Sequence, residues 1–206
     1  SLFLHLHLYA GIQEAITTSC VRKKIINVDK QSVYRYGFEL LISFFIHLTC
    51  FVTVAVISRR FLETFIFILA FASLRRYTGG YHAKTDIGCY GLTTISLVIY
   101  LVLLQYTPFS HQLMFIWFNL IVYWLAVFFI APVTSDQKPI NAIQLSRIKK
   151  HMWIISVAVT ILCVIGTLAS KGLKLSYMLS LVSILVAISI FATSMMKVFK
   201  KTDTRR

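Results

Sequence analysis

One stretch of this chain combines, within 17 positions, residue types that can do chemistry together. Residues 75–91 read Arg75-Arg76-Tyr77-Thr78-Gly79-Gly80-Tyr81-His82-Ala83-Lys84-Thr85-Asp86-Ile87-Gly88-Cys89-Tyr90-Gly91, a thiol, an imidazole and a carboxylate set among four glycines. A thiol attacks as the thiolate, and histidine is the usual group that takes its proton. Nearby cations favour the thiolate, and Arg75, Arg76 and Lys84 supply three. On one continuous helix His82, Asp86 and Cys89 would share a face. Seven residues rise about 10.5 Å along a helix axis, however, which barely lets imidazole reach sulfur. We therefore expect His82 and Cys89 to meet across a bend near Gly88, made by glycine's backbone freedom.

Other uses of the same residues are open at this point. Asp86 either accepts the second N–H of His82 and orients it, as in a triad, or pairs with Lys84 at the surface. Backbone N–H groups around Gly88 and Cys89 are candidate oxyanion donors. With no second histidine close by, His82, Asp86 and Cys89 make a poor metal set, so no metal and no cofactor are expected.

The elements that must position this stretch follow from composition. Of 206 residues, 58% are hydrophobic and only 14% charged, and mean hydropathy is +0.77. A soluble domain is about 25% charged, so lipid must supply the burial here. Disorder and a plain soluble enzyme are both excluded. The 21 Lys and Arg outnumber 7 Asp and Glu, for a net charge of +14. These bases cluster at the ends of apolar runs, which suits lipid headgroups and an acidic ligand better than nucleic acid. Cys20, Cys50, Cys89 and Cys163 form no CxxC pair. They imply neither a disulfide framework nor a zinc knuckle, but single thiols in a reducing compartment. The first ten residues lack the basic start and long apolar core of a cleavable signal.

Six apolar runs, 38–57, 61–74, 92–106, 113–133, 152–169 and 175–196, predict an all-α polytopic membrane protein with six transmembrane helices. Crossing takes about 20 helical residues, and the second and third runs fall short. They flank residues 75–91, which reads as a re-entrant connection dipping into the bilayer, where a site belongs. Alternate sides of the six spans receive 17 and 4 Lys and Arg. The positive-inside rule puts both termini and residues 75–91 in the cytoplasm. Residues 1–37 form a cytoplasmic or interfacial segment with an amphipathic helix through Leu8, Ile12, Ala15, Ile16 and Ser19. Residues 38–196 form the bundle and 197–206 a basic cytoplasmic tail, all within a single domain.

Leu74 through Lys84, with Cys89 seven residues after His82, resembles the signature of the AgrB family, membrane cysteine endopeptidases of Gram-positive quorum sensing. Tyr36-Gly37-Phe38-Glu39 is similar to the family's approach to its first helix. Ala131-Pro132-Val133 followed by Lys138-Pro139-Ile140 is similar to its second characteristic loop. The resemblance implies a bacterial plasma-membrane enzyme that cuts the C-terminal segment from a short pheromone precursor, AgrD, and leaves a cyclic thiolactone. It implies His82 and Cys89 as the catalytic pair, and a precursor with an acidic tail as partner. Arg75, Arg76, Lys84, Lys149 and Lys150 are then candidates to attract that tail; headgroup contacts are the alternative.

A rival of another class is a peptide transporter or export partner, which should show inverted repeats with paired broken helices. Only one interrupted region is present. A membrane acyltransferase would need a lipid or CoA site that no feature suggests. His47, mid-span, is expected to bond a neighbouring helix, and Cys50 and Cys163 to pack. Glu39 and Glu63 follow Arg35 and Arg59 by four residues, a spacing for local ion pairs. Gly166 and Ala169 are small enough to allow close contact in a homodimer.

Overall fold

The computed structural model describes residues 18, 31–79, 86–133, 142–169 and 172–203. Among them the chain is all-α, with six helices: α1 (Gln31–Ser58), α2 (Phe61–Thr78), α3 (Asp86–Tyr106), α4 (Phe109–Phe129), α5 (Ala142–Leu168) and α6 (Leu173–Asp203). Four contain segments long and apolar enough to cross a membrane, Leu41–Ser58, Phe109–Phe129, Gln144–Leu168 and Leu173–Val198, and Gly91–Tyr106 is a shorter apolar helix. The expected amphipathic helix in the first 30 residues lies, apart from the helical residue Thr18, outside the described residues.

Most helices outrun the apolar runs that predict them. An apolar run marks where the chain can meet hydrocarbon, whereas a helix continues into the polar interface as long as its backbone bonds are made. α2 extends past Leu74 through Arg75, Arg76, Tyr77 and Thr78 to 18 residues, and α3 starts at Asp86 rather than 92 and has 21. They are therefore not short helices, rising about 27 and 31 Å. Their short apolar reach comes from polar ends. The opposite correction applies to α4, which ends at Phe129, short of 133, because proline at 132 disfavours helix at the residue before it.

The chain divides into two units, Ser1–Thr53 and Val54–Arg206. In the first, α1 satisfies its own polar groups: Thr49 and Thr53 hydroxyls donate to the carbonyls of Phe45 and Thr49 at 2.8 Å. His47, expected to bond another helix, stacks on Phe51 of its own helix at 5.6 Å.

In the second unit α6 is the axle. From Ser176 to Ala187 all but one residue is buried, and α2, α3, α4 and α5 all pack on it. A helix buried all round belongs to a core, and serines let its neighbours approach. Asn119 Nδ2 donates to Ser180 Oγ at 3.3 Å, joining α4 to α6. Ser176 Oγ donates to the Cys163 carbonyl of α5 at 2.8 Å. Tyr123 and Ser156 hydroxyls share a 2.6 Å bond, and Trp124 Nε1 donates to Thr160 Oγ1 at 3.1 Å, both joining α4 to α5. Gly166 is buried against Gly172 and Ser176, so close that a Cβ would collide with the serine hydroxyl. Its small face is spent inside the chain rather than offered to a second copy.

Contacts at helix ends pair the start of α6 with the start of α2 and with Thr107, just beyond α3. At one end Lys174 Nζ pairs with Glu63 at 2.9 Å, and Tyr177 OH donates to Thr107 at 2.7 Å. Glu63 therefore does not take Arg59 as partner. Arg59 has φ +54 and lies between helices, so the i to i+4 geometry is missing. The corresponding Glu39 side chain lies outside the described residues. Replacing Asn119 by Leu removes one interhelical bond and leaves Ser180 without that donor. We expect a loss of about 1 kcal/mol, read as a lower SDS fraction at the unfolding midpoint.

Candidate functional site

The other end of the second unit holds the described ends of the sequence signature. α2 stops at Thr78, and Gly79 caps it with φ +76, donating its N–H to the Arg75 carbonyl at 3.1 Å. That positive φ suits glycine. Immediately beyond α4, Val133 N–H donates to the Thr78 carbonyl at 3.0 Å, and Gly79 and Val133 form a parallel bridge. A Cβ on Gly79 would collide with the Val133 carbonyl oxygen. Glycine is thus required twice, for conformation and for closeness. The Ala131-Pro132-Val133 segment, remote in sequence, is fastened to Thr78 and Gly79 at the end of α2. Lys138, Pro139 and Ile140 lie outside the described residues.

α3 carries the second half of the signature. It runs from Asp86 through Gly88 and Gly91 as helix, so the bend expected near Gly88 is not there. The glycines at 88 and 91 are accommodated because helical backbone bonds do not need a side chain. Asp86 and Cys89 are three residues apart on one helix, hence on neighbouring positions of one face. Cys89 is the fourth residue of α3, where backbone amides lack intrahelical acceptors and negative charge is favoured. His82 and Lys84 lie outside the described residues, as do the side chains of Asp86 and Cys89.

The described cations divide into two groups. Arg75 is half-buried: its guanidinium donates to Thr93 Oγ1 on α3 at 3.3 Å and lies 5.4 Å from the centre of the Phe71 ring. Arg76 is exposed, 5.7 Å from the Tyr77 ring, and Tyr77 stacks on His151 of α5 at 5.4 Å. His151 also holds the Arg147 carbonyl through Nδ1 at 2.8 Å. Lys149 and Lys150, both exposed, flank this contact on α5. The fold therefore brings Arg76 to the same region as Lys149 and Lys150, 73 or more positions away in the chain.

Thr93 and His151 were not legible as site residues, although His151 directly follows the candidate pair Lys149-Lys150. Val133 lies in the loop that the sequence marks, but its contact is through the backbone, which no side-chain pattern reports. Among the described residues no cluster of His, Cys, Asp and Glu is placed to hold a metal ion, and Cys163 is buried with its thiol 3.6 Å from the Ser176 carbonyl, a packing position.

Long apolar helices alternating about a buried axle, with a polar signature gathered at one end, define a multi-pass membrane protein. The chain belongs to the AgrB family, accessory gene regulator B, whose family model matches residues 13–200. It is accordingly a cysteine endopeptidase that processes an AgrD propeptide to an autoinducing thiolactone peptide. No curated protein and no solved structure matches the chain.

If the Gly79–Val133 junction sets the start of the signature turn, Gly79→Ala should cut precursor processing by more than about tenfold, since forcing a non-glycine residue into this backbone costs on the order of 1–3 kcal/mol. Cleaved precursor per unit of membrane-inserted protein, compared by immunoblot with wild type, is the measurement.

Proposed function

We propose that Cys89 is the nucleophile of the processing reaction, His82 its proton acceptor and donor, and Asp86 the group that orients His82. Cys89 thiolate adds to the scissile carbonyl carbon. The C–N bond then breaks, and the leaving amine takes a proton from the His82 imidazolium. The precursor's internal cysteine next passes its proton to His82 and attacks the Cys89 thioester. The carbon–sulfur bond to Cys89 breaks, the thiolactone departs and Cys89 leaves as thiolate. One thioester replaces another, so this step is nearly isoenergetic and must outrun hydrolysis, which a recessed, water-poor site assists.

One observation carries the reading: the end of α2 and the segment after α4 are fastened together by Val133 and Thr78, and the Arg75–Thr93 bond ties the same end of α2 to the second turn of α3. A signature that converges this way from three elements is built to hold reacting groups in register. Amides of Ile87 and Gly88, in the first turn of α3, are the oxyanion donors in this reading.

The substrate is a precursor with an acidic tail, attracted by Arg76, Lys84, Lys149 and Lys150. Arg76 and the two α5 lysines are exposed in one region, which supports steering by charge. Arg75, engaged with Thr93, has a different task. α2 and α3 cross the bilayer with the other four helices, and the signature connection and both termini face the cytoplasm. The asymmetry of 17 Lys and Arg against 4 supports that orientation.

Co-expression with the precursor tests the nucleophile. Cys89→Ala should give neither cleavage nor acyl-enzyme, and Cys163→Ala should cleave normally; cleavage by Cys89→Ala removes Cys89 from the mechanism. For the tail, Lys149→Glu with Lys150→Glu should raise KM several-fold at low salt and much less at 0.5 M salt, where charges are screened beyond a few ångströms. An unchanged KM at both salt concentrations would assign these lysines to lipid headgroups instead.

A further inference from the structure

Arg75 has two neighbours that a headgroup-binding arginine at a helix end does not need. Its guanidinium donates across to Thr93 of α3 and rests against Phe71 one turn back on α2. Thr93 is only 9% exposed. It follows Cys89 by four residues on the same unbroken helix, so the two positions share a face one turn apart, about 6 Å along the axis. The bond thus draws a fixed positive charge to the α3 face on which the nucleophile position lies.

Such a charge is useful in this chemistry and costly without a purpose. Guanidinium is always ionised and loses hydration when half-buried. Set beside a thiolate or the oxyanion that follows its attack, it offsets developing negative charge in a region poor in water. Lysine is not equivalent, because a rigid planar fork fixes where the charge lies and an ammonium on a flexible stem does not.

We propose that Thr93 is a positioning residue that holds the Arg75 guanidinium over the Cys89 turn of α3, where its charge favours formation of the acyl-enzyme. This rests on Cys89 as nucleophile. Thr93 touches neither substrate nor the reacting atoms; it acts through Arg75. The role predicts an effect on acylation and none on substrate capture.

The test uses the full-length enzyme in lipid nanodiscs and synthetic precursor, with acyl-enzyme followed by intact mass in single turnovers. Thr93→Val keeps shape and removes the acceptor, and should slow acylation roughly tenfold, the loss of a hydrogen bond to a charged group. The precursor concentration at half-maximal rate should stay at the wild-type value. Thr93→Ser, which keeps the hydroxyl, should restore most of the rate. Arg75→Lys should be slowed as well, and Thr93→Val added to Arg75→Lys should slow it no further, because both break one link. Wild-type acylation by Thr93→Val, effects of the two substitutions that multiply, or no rescue by serine would each overturn the proposal. Should Thr93→Val fail to fold, Thr93→Ala is read by the same criteria. Cys89→Ala separates the two levels. If it still acylates, the nucleophile reading falls and this proposal with it; if it is inert while Thr93→Val is normal, only the proposal falls.

Discussion

Hydrocarbon offers no partner to a peptide N–H or C=O, and each one left unpaired there costs several kcal/mol. From that constraint most of this architecture follows. Apolar runs have to be helices, and polar side chains within them have to bond something near. The chain answers with polar groups that bond their own helix, as Thr49 and Thr53 do, or a neighbouring one, as Asn119, Tyr123 and Trp124 do. α6, packed against four neighbours, uses small size for contact and the oxygens of Ser176 and Ser180 for pairing with α5 and α4. Lipid gives no hydrophobic drive for helices to associate, so this combination of close approach and interhelical bonds holds the second unit together.

The same constraint explains why the chemistry lies where it does. Charged and glycine-rich sequence is intolerable against lipid but acceptable where helices end and cover one another. α2 ends on Arg75, Arg76 and Tyr77, α3 begins on Asp86, and both belong to the end of the bundle where Val133 closes on Thr78. Backbone and side-chain bonds tie the end of α2 to the segment after α4 and to α3. An enzyme that must exchange one thioester for another before water intervenes gains from such anchoring, since reacting groups held in register need little reorganisation.

Within this arrangement neighbouring arginines diverge. Arg75 and Arg76 are adjacent in sequence, and successive helical residues point about 100° apart, so one can meet α3 while the other faces outward beside Tyr77 and His151. In the proposed reading such divergence separates two electrostatic tasks, stabilising charge at the nucleophile and attracting charge on a substrate.

Much of this was readable from the chain alone. Composition determined the membrane; apolar runs located the six helices, with ends off by up to ten residues; and residue types and spacing singled out His82, Asp86 and Cys89 as candidates for thiol chemistry. The family, too, was evident in the residues from Leu74 to Cys89. Helix ends were less legible, since apolarity reports the contact with lipid and not the last hydrogen bond: α3 proved to begin at Asp86, removing the bend foreseen near Gly88. Pairings between distant residues were not legible at all. Glu63 chose Lys174 over Arg59, Gly166 turned inward to Ser176, Thr93 met Arg75, and Val133 met Gly79 through backbone atoms. Local sequence dictates which backbone bonds a segment makes within itself, but which side chains meet across helices depends on axial offset and rotation, and those are settled only when the whole bundle packs.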